Sequence, residues 1–227
     1  MAGPIVLVAA QNEADRIGAT LMALREAFPG SHVVVADDAS RDATGDVALA
    51  HGAEVVSRGR PHGKGANVTA AAATVIDRAR DGDQVFLLCD GDLGSSAGRL
   101  APLVAAIEAG EADLAIAVFR SRVGGGFGVA LRYARRAIER LCGYQALAPI
   151  SGQRALSARA MRAAYPFAQG YGMEIGITVD VVRAGLGVRE IELDLSHRAT
   201  GRSVGGFLHR ARQLRDFRRV VKAKRAG

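Results

Sequence analysis

The sequence predicts an α/β fold in which a mostly parallel central sheet is flanked by helices, in a single domain. Apolar runs at 5–9, 33–36 and 84–89 alternate with segments of helical periodicity, and strands separated by helices form parallel sheets with right-handed crossovers. All three runs end at acidic or amide residues. The chain has 227 residues, 49% of them hydrophobic, which is enough for one core.

The predicted elements follow from the periodicity of the apolar residues and from turn residues. The first helix begins near Ile17 and ends before Pro29-Gly30, a pair of residues that stops helices. A Gly/Pro-rich loop at 58–65 separates the third strand from an alanine-rich helix. The predicted strands are 5–9, 33–36, 54–57, 84–89, 114–119 and 188–195, and the predicted helices are about 17–28, 42–51, 66–80, 100–107, 129–141, 158–165 and 174–184.

The positive charge of the chain lies at its C-terminal end. Residues 206–227 hold eight Lys and Arg against one Asp, which accounts for the whole net charge of +7. Phe207, Leu214 and Phe217 recur there at helical spacing, so we predict a basic amphipathic C-terminal helix over 206–227. This helix either docks on the 1–205 domain, which we favour, or contacts an anionic membrane. Few aromatic residues interleave with the basic ones, so nucleic acid is not an expected partner.

Composition and motifs argue against several classes of protein. The first ten residues lack the basic start of a signal peptide, and no apolar run approaches the ~20 residues that span a bilayer. Cys89 and Cys142 lack metal-type spacing. No Gly-x-Gly-x-x-Gly follows the first strand, which argues against a nicotinamide dehydrogenase. We expect a cytoplasmic protein, with a peripheral position at the inner membrane face left open.

Two carboxylates separated by one glycine follow the strand at 84–89. Asp90 and Asp92 would repel each other by roughly 3 kcal/mol at about 5 Å and an effective dielectric near 20. A hard divalent cation bound through oxygen would offset that repulsion and could carry a diphosphate. Asp37-Asp38 and Ala10 to Glu13 follow two other strands in the same way. Because open α/β sheets bind ligands outside the carboxyl ends of their strands, these residues predict one site.

These segments resemble the successive motifs of family-2-like nucleotide-sugar glycosyltransferases with the A-type fold. The segments that carry the resemblance are Ala10–Glu13, Asp37–Asp42, Gly63–Gly65 and Asp90–Asp92, in that order. In the second half, 166–176 and His197-Arg198 resemble glucosyl-3-phosphoglycerate synthases and mannosylglycerate-type synthases, whereas 151–157 is more similar to polyprenyl-phosphate sugar transferases. The resemblance implies a nucleotide-sugar half over about 1–120 and an acceptor half over about 121–205.

The resemblance also implies roles for the matching residues. The residues implied for binding the donor nucleotide sugar are Ala10, Glu13, Asp37, Asp38, Lys64, Asp90, Gly91 and Asp92. Those implied for the divalent cation, Mn²⁺ or Mg²⁺, are Asp92, His197 and Asp90, and imidazole suits manganese somewhat better. Those implied for the acceptor are Arg120, Arg122, Arg132, Tyr171 and Glu174, and those for the diphosphate are Arg198 and Arg202. Glu174 and Asp92 are the implied catalytic residues.

The implied activity is transfer of a hexose from a UDP-glucose-type or GDP-mannose-type donor to a small anionic or polyprenyl-phosphate acceptor. Phe127 stands where phosphoglycerate synthases have a phosphate-binding arginine, so both acceptors stay open. The stereochemical outcome also stays open: those synthases retain the anomeric configuration, which we favour slightly, whereas family-2 enzymes invert it. A homodimer is a further open possibility. The alternatives are a catalytically silent nucleotide-binding module and a sugar-phosphate nucleotidyltransferase, although the chain lacks the glycine-rich Arg-Lys signature of the latter.

Overall fold

A seven-stranded sheet forms the centre of the protein. The computed structural model describes residues 3–80, 82–119, 128–195 and 215–225. In spatial order the strands run β3-β2-β1-β4-β6-β5-β7. The strands are β1 (Ile5–Ala10), β2 (His32–Asp37), β3 (Glu54–Ser57), β4 (Val85–Asp90), β5 (Leu114–Phe119), β6 (Arg154–Ser157) and β7 (Val188–Leu193). Only β6 is antiparallel to its neighbours, β4 and β5, among the paired strands of the described chain.

Helices cover both faces of this sheet. The α-helices are α1 (Ile17–Ala27), α2 (Thr44–Ala50), α3 (Lys64–Ala73), α4 (Ala101–Glu108), α5 (Gly128–Cys142), α6 (Ala158–Ala164), α7 (Met173–Arg183) and α8 (215–225). Short 3-10 turns lie at Ile76–Arg80, Gly94–Leu100 and Gly170–Gly172.

Alternate strand residues supply two core layers. Val6 and Val8 of β1 pack with the apolar faces of α1 and α4. Ile5 and Leu7, which point to the opposite side of the sheet, pack with α3, α6 and α7. Successive side chains of a strand point to opposite faces, and both faces here are covered. The near-continuous apolar runs in the sequence therefore mark strands buried on both sides, as parallel sheets require.

The predicted α/β class and mostly parallel sheet are confirmed, and two local differences emerge. The strand β6 was not predicted, because it has four residues and begins with an arginine. The predicted helix over 66–80 is instead α3 followed by a separate 3-10 turn. At the break, the Thr74 hydroxyl donates to the Ala71 carbonyl at 3.0 Å, and a side chain that bonds nearby backbone competes with helix continuation.

Helix α8 packs against α5 and α7 in a third apolar cluster. Phe217 is fully buried, and its ring stacks on Tyr133 with centroids 6.3 Å apart. Lys224 Nζ lies 2.5 Å from an Asp180 carboxylate oxygen. The 215–225 part of the predicted C-terminal helix therefore docks on the body, while 206–214 lie outside the described residues. Within the described chain, no helix combines the length and apolar character needed to cross a bilayer.

Candidate active site

The strand ends bring the predicted donor-site segments to one edge of the sheet. In the register of β1, Ala10 lies opposite Asp37 of β2, and Ala9 lies opposite Asp90 of β4. The Gly91 amide donates to the Ala9 carbonyl at 2.8 Å. A Cβ at Gly91 would lie 3.2 Å from the Ala10 Cβ, so a glycine permits this close approach.

A buried threonine on α1 holds the turn that carries Asp92. The Thr20 hydroxyl donates to the Gly91 carbonyl at 2.8 Å and accepts from the Gly94 amide at 2.8 Å. Thr20 is fully buried. It is a positioning residue that the sequence analysis missed, because a polar residue at a core position of a helix has no local signal of its partner.

The Asp37 and Asp38 carboxylates organise the loops around the predicted nucleotide site. Asp38 accepts from the backbone amides of His62 at 2.7 Å and Gly63 at 3.0 Å. Asp37 accepts from the Ser57 hydroxyl at 2.8 Å and from the Ser40 amide at 3.2 Å and hydroxyl. Both residues are buried. Their direct contact with a nucleotide stays a prediction.

The loops after β1 and β2 are cross-linked by side-chain hydrogen bonds. Asn12 adopts a positive φ of 57°, and its side chain accepts from the Arg41 amide at 2.8 Å. The Glu13 amide donates to the Thr44 hydroxyl at 2.8 Å. That hydroxyl in turn bonds the Asp42 carboxylate, which lowers the pKa of Asp42. A non-glycine residue with positive φ is retained where its surroundings fix it, so these loops form a rigid rim beside Ala10.

A lysine joins two carboxylates from distant parts of the chain. Lys64, the first residue of α3, places its Nζ 2.7 Å from Asp90 Oδ1 and 3.0 Å from Glu174 Oε1. The other Asp90 oxygen accepts from Gln153 Nε2 at 3.1 Å. The exposed fractions of the side chains are 20% for Lys64, 32% for Asp90 and 7% for Glu174. The cluster is therefore largely desolvated but open on the Asp90 side.

The electrostatics of this cluster revise one argument from the sequence. Burial alone would lower the pKa of Lys64, but the Asp90 and Glu174 carboxylates outweigh it and raise that pKa above its ordinary value of 10.5. The lysine is thus a stable cation. It offsets part of the repulsion at the end of β4 that the sequence analysis assigned to a divalent cation alone.

Two glycines make room for the lysine. At Gly152 a Cβ would crowd the Lys64 ammonium and the Asp90 carboxylate. At Gly65 it would overlap the Ala168 carbonyl oxygen, so α3 packs closely on the segment that leads to Glu174. The absence of a side chain at Gly152 leaves room for the Lys64 ammonium, and its absence at Gly65 lets α3 approach the segment before α7.

A fully buried arginine underlies Glu174 and was missed as a functional candidate. Arg154 donates to the Ser151 carbonyl at 2.7 Å, the Glu174 backbone carbonyl at 2.9 Å and the Thr178 hydroxyl at 2.8 Å. Burial lowers the pKa of Arg154 to about 10, against the opposing effect of nearby Glu174. The arginine ties the first turn of α7 to the segment before β6, and so fixes the backbone of Glu174.

The chemistry of the acidic residues fits a hard cation held through Asp92. Asp92 is half-buried on the turn that follows β4, and its carboxylate oxygens are of the type that hard divalent cations bind. Burial, and then Asp90, raises the pKa of the Cys89 thiol, so no soft thiolate competes. The described residues contain no group of three or more His, Cys, Asp or Glu arranged for a metal. The predicted third ligand, His197, lies outside them.

The predicted acceptor residues fall in three places. Glu174 belongs to the lysine cluster. Tyr171 lies in the 3-10 turn before α7, where its amide donates to the Asp216 carboxylate of α8 at 3.4 Å. Arg132 lines a groove between α5 and α8 whose described lining does not include the lysine cluster. Arg120, Arg122, Arg198 and Arg202 lie outside the described residues, as does Phe127.

Comparison with known families decides the membership of the chain. The model of glycosyl transferase family 2 matches residues 5–163, from β1 through most of α6. The chain belongs to glycosyl transferase family 2. The predictions of a glycosyltransferase and of its A-type fold are thereby confirmed at the level of the family.

A known sugar transferase and several solved structures are also similar to this chain. The chain is 30% identical over 215 residues to an undecaprenyl-phosphate mannosyltransferase of Micrococcus luteus, covering 88% of this chain and 86% of the relative. It is similar to glucosyl-3-phosphoglycerate synthase of Mycobacterium tuberculosis. The complex with phosphoglyceric acid gives a TM-score of 0.77 at 28% identity, over 98% of this chain and 80% of that one.

Two further structures of that synthase contain nucleotide and metal. The complex with Mn²⁺, UDP and glucosyl-3-phosphoglycerate gives a TM-score of 0.75 at 28% identity and covers 98% of this chain and 80% of that one. The complex with Mg²⁺ and UDP gives a TM-score of 0.76 at 28% identity and covers 98% of this chain and 79% of that one. The predicted cofactor, Mn²⁺ or Mg²⁺, is therefore the one found in these related structures.

Proposed function

We propose that this family-2 enzyme transfers a hexose from a nucleotide diphosphate sugar, of the UDP-glucose or GDP-mannose type, to an acceptor that carries phosphate. The observation that carries the proposal is the Lys64–Asp90–Glu174 cluster at the carboxyl ends of the strands, with Asp92 on the adjoining turn. The relatives support it, because the synthase binds UDP with Mn²⁺ or Mg²⁺.

The donor would lie across the ends of β1, β2 and β4. The rim formed by Ala10, Glu13, Asp37 and Asp38 is the proposed nucleoside site, where carboxylates and backbone groups accept and donate hydrogen bonds. Asp92 would hold the divalent cation, with Asp90 beside it and His197 as a further proposed ligand. When bound, the cation supplies positive charge against the two phosphates.

The chain's own residues stabilise the charges that develop during transfer. As the bond from the anomeric carbon to the diphosphate breaks, negative charge grows on the leaving oxygen. The Lys64 ammonium is a fixed, largely desolvated cation that favours this charge. Arg198 and Arg202 are proposed to contact the same phosphates.

The segment beside the cluster contains two unsatisfied polar atoms among the described residues. In the described part of the chain, Ser151 Oγ and Gln153 Oε1 are buried and have no hydrogen-bond partner. A buried polar atom without a partner costs roughly 1–3 kcal/mol. Both residues flank Gly152, which lies beside Lys64, and the Glu174 carboxylate would accept a hydrogen bond from a hydroxyl of the transferred sugar or of the acceptor.

Two acceptor classes remain in the proposal, each supported by one relative. The synthase structures contain phosphoglyceric acid, and the mannosyltransferase is named for undecaprenyl phosphate. Arg120, Arg122, Arg132 and Tyr171 are the proposed acceptor residues. A cytoplasmic location, a peripheral place at a membrane, a homodimer and the division into a 1–205 domain and a 206–227 helix stay proposals.

The decisive experiment pairs donor binding with turnover. Thermal unfolding is measured with UDP-glucose and GDP-mannose, with and without Mn²⁺. A donor at a hundred times its Kd should stabilise the protein by about 2.7 kcal/mol, or roughly 5–11 °C, only when the cation is present. Phosphoglyceric acid and a short polyprenyl phosphate are then offered as acceptors, and products are identified by mass spectrometry.

Glu174→Gln separates catalysis from binding. We expect turnover to fall at least about tenfold, which corresponds to roughly 1.4 kcal/mol of lost transition-state stabilisation. Donor affinity should change less, because the ion pair between Lys64 and Asp90 is still present in the variant. The control is Glu108→Gln, an exposed residue of α4, which should change neither. Donor binding without any product would favour a silent nucleotide-binding module instead.

A further inference from the structure

The outer face of α5 carries a stripe of arginines beside an exposed valine. Val129, Arg132, Arg136 and Arg140 are spaced three, four and four residues apart, which places them on one side of the helix. All three arginines are exposed. Val129 is 61% exposed. An apolar residue thus lies in line with the cationic ones.

Helix α8 adds a second wall and makes a groove. The groove between α5 and α8 has a volume of about 360 Å³. Its floor consists of apolar parts of both helices, including Tyr133, Leu141 and Val221, and its rim carries Arg225 as well as the three arginines of α5. No acidic residue belongs to its lining in the described part of the chain.

The basic residues that do have protein partners lie elsewhere on the same helices. Arg135 donates to the Leu147 carbonyl at 2.6 Å, and Lys224 pairs with Asp180. Among the described residues, no hydrogen bond or ion pair engages Arg136, Arg140 or Arg225. Grouping like charges without counter-charges is unfavourable, so this arrangement is suited to an external anion.

We propose that the α5–α8 groove binds the surface of an anionic phospholipid membrane. Guanidinium groups bind phosphate through two parallel hydrogen bonds. The apolar floor and the exposed Val129 match the apolar zone just below lipid headgroups, where amphipathic helices lie in the plane of the membrane. The inference goes beyond the proposed transfer reaction, since it needs neither donor nor acceptor.

Charge and aromatic content favour this occupant over two others. A second copy of the chain would bring its own net charge of +7, and a two-fold contact through this face would oppose arginine to arginine. A single-stranded nucleic acid would need exposed aromatic rings for stacking. The only aromatic residue of the groove's described lining, Tyr133, stacks on Phe217 instead.

The test measures co-sedimentation of the full chain with vesicles of mixed phosphatidylglycerol and phosphatidylcholine. The variant is R136Q/R140Q/R225Q, which leaves the acceptor candidate Arg132 in place. Each basic residue near an anionic surface is worth about a fivefold change in partitioning, so the triple variant should bind roughly a hundredfold more weakly. Pure phosphatidylcholine vesicles should bind neither protein, and salt at about 0.5 M should abolish binding by the wild type.

The matched control is R25Q/R78Q/R189Q, which removes three exposed arginines elsewhere and gives the same net charge. Equal losses in control and groove variants would overturn the proposal, because binding would then follow net charge alone. Absence of wild-type binding would overturn it as well. So would light scattering that shows a dimer for the wild type and a monomer for the groove variant. If thermal unfolding shows that the triple variant is not folded, R136E alone should weaken binding roughly twentyfold.

Discussion

The Lys64→Met substitution removes the cation between two carboxylates while keeping a side chain of similar length. At an effective dielectric of about 20, each contact near 3 Å is worth roughly 5 kcal/mol before desolvation is counted. Breaking a buried ion pair by removing one partner costs about 3–5 kcal/mol. Because Asp90 is 32% exposed and water screens it, we expect the lower end, about 3 kcal/mol, or a fall in Tm of roughly 6–12 °C.

The same variant should change the pH dependence of stability. The raised pKa of Lys64 means that its contribution in the wild type is complete below pH 10.5, its ordinary pKa, and is lost only as pH rises through the higher folded value. In Lys64→Met this alkaline loss should be absent. The difference in stability between the variant and the wild type should therefore shrink as pH rises through the folded pKa of Lys64.

The assay is calorimetric unfolding of wild type, Lys64→Met and the double variant Lys64→Met/Glu174→Gln at several pH values. The double variant should recover part of the loss, since one buried charge is gone. Lys224→Met is the comparison: it breaks one ion pair, with Asp180, whose side chains are 27% and 18% exposed, where Lys64→Met breaks two, and it should therefore cost less than Lys64→Met. A Tm of Lys64→Met within about 1 °C of the wild type (roughly 0.3–0.5 kcal/mol) would refute the reasoning.

Three further predictions concern the elements around this cluster. Arg154→Met should destabilise the protein by about 3–5 kcal/mol in chemical denaturation, since the partners of a buried arginine lose their donor. Arg154→Lys should restore part of that stability but a smaller part of kcat, because one ammonium group cannot reach all the oxygens that the guanidinium bonds. Asp92→Asn should remove the Mn²⁺ dependence of donor binding in calorimetric titration; retained dependence would contradict its proposed role as ligand. Phe217→Ala should lower stability by about 3–5 kcal/mol, as for other buried phenylalanines, whereas exposed Lys222→Ala should not alter the unfolding midpoint.

The local sequence was sufficient for the fold class and for placing the predicted donor-site segments at one edge of the sheet. Hydrophobic periodicity marks strands and helices, and a parallel sheet necessarily gathers the strand ends at one edge. Asp37, Asp90 and the residues after Ala10 could therefore be assigned to one edge without knowing any contact. Phe217 likewise indicated the apolar face by which α8 docks.

Only the tertiary structure determined which charges meet. Lys64, Asp90 and Glu174 come from three separate segments, and Arg154 is buried under the last of them because β6 runs antiparallel between β4 and β5. Periodicity reports whether a side chain faces the core or solvent, but carries no information about its partner across the fold. The partner decides whether a buried lysine or arginine is stabilised as a cation, and so the chemistry of the site was set by long-range packing.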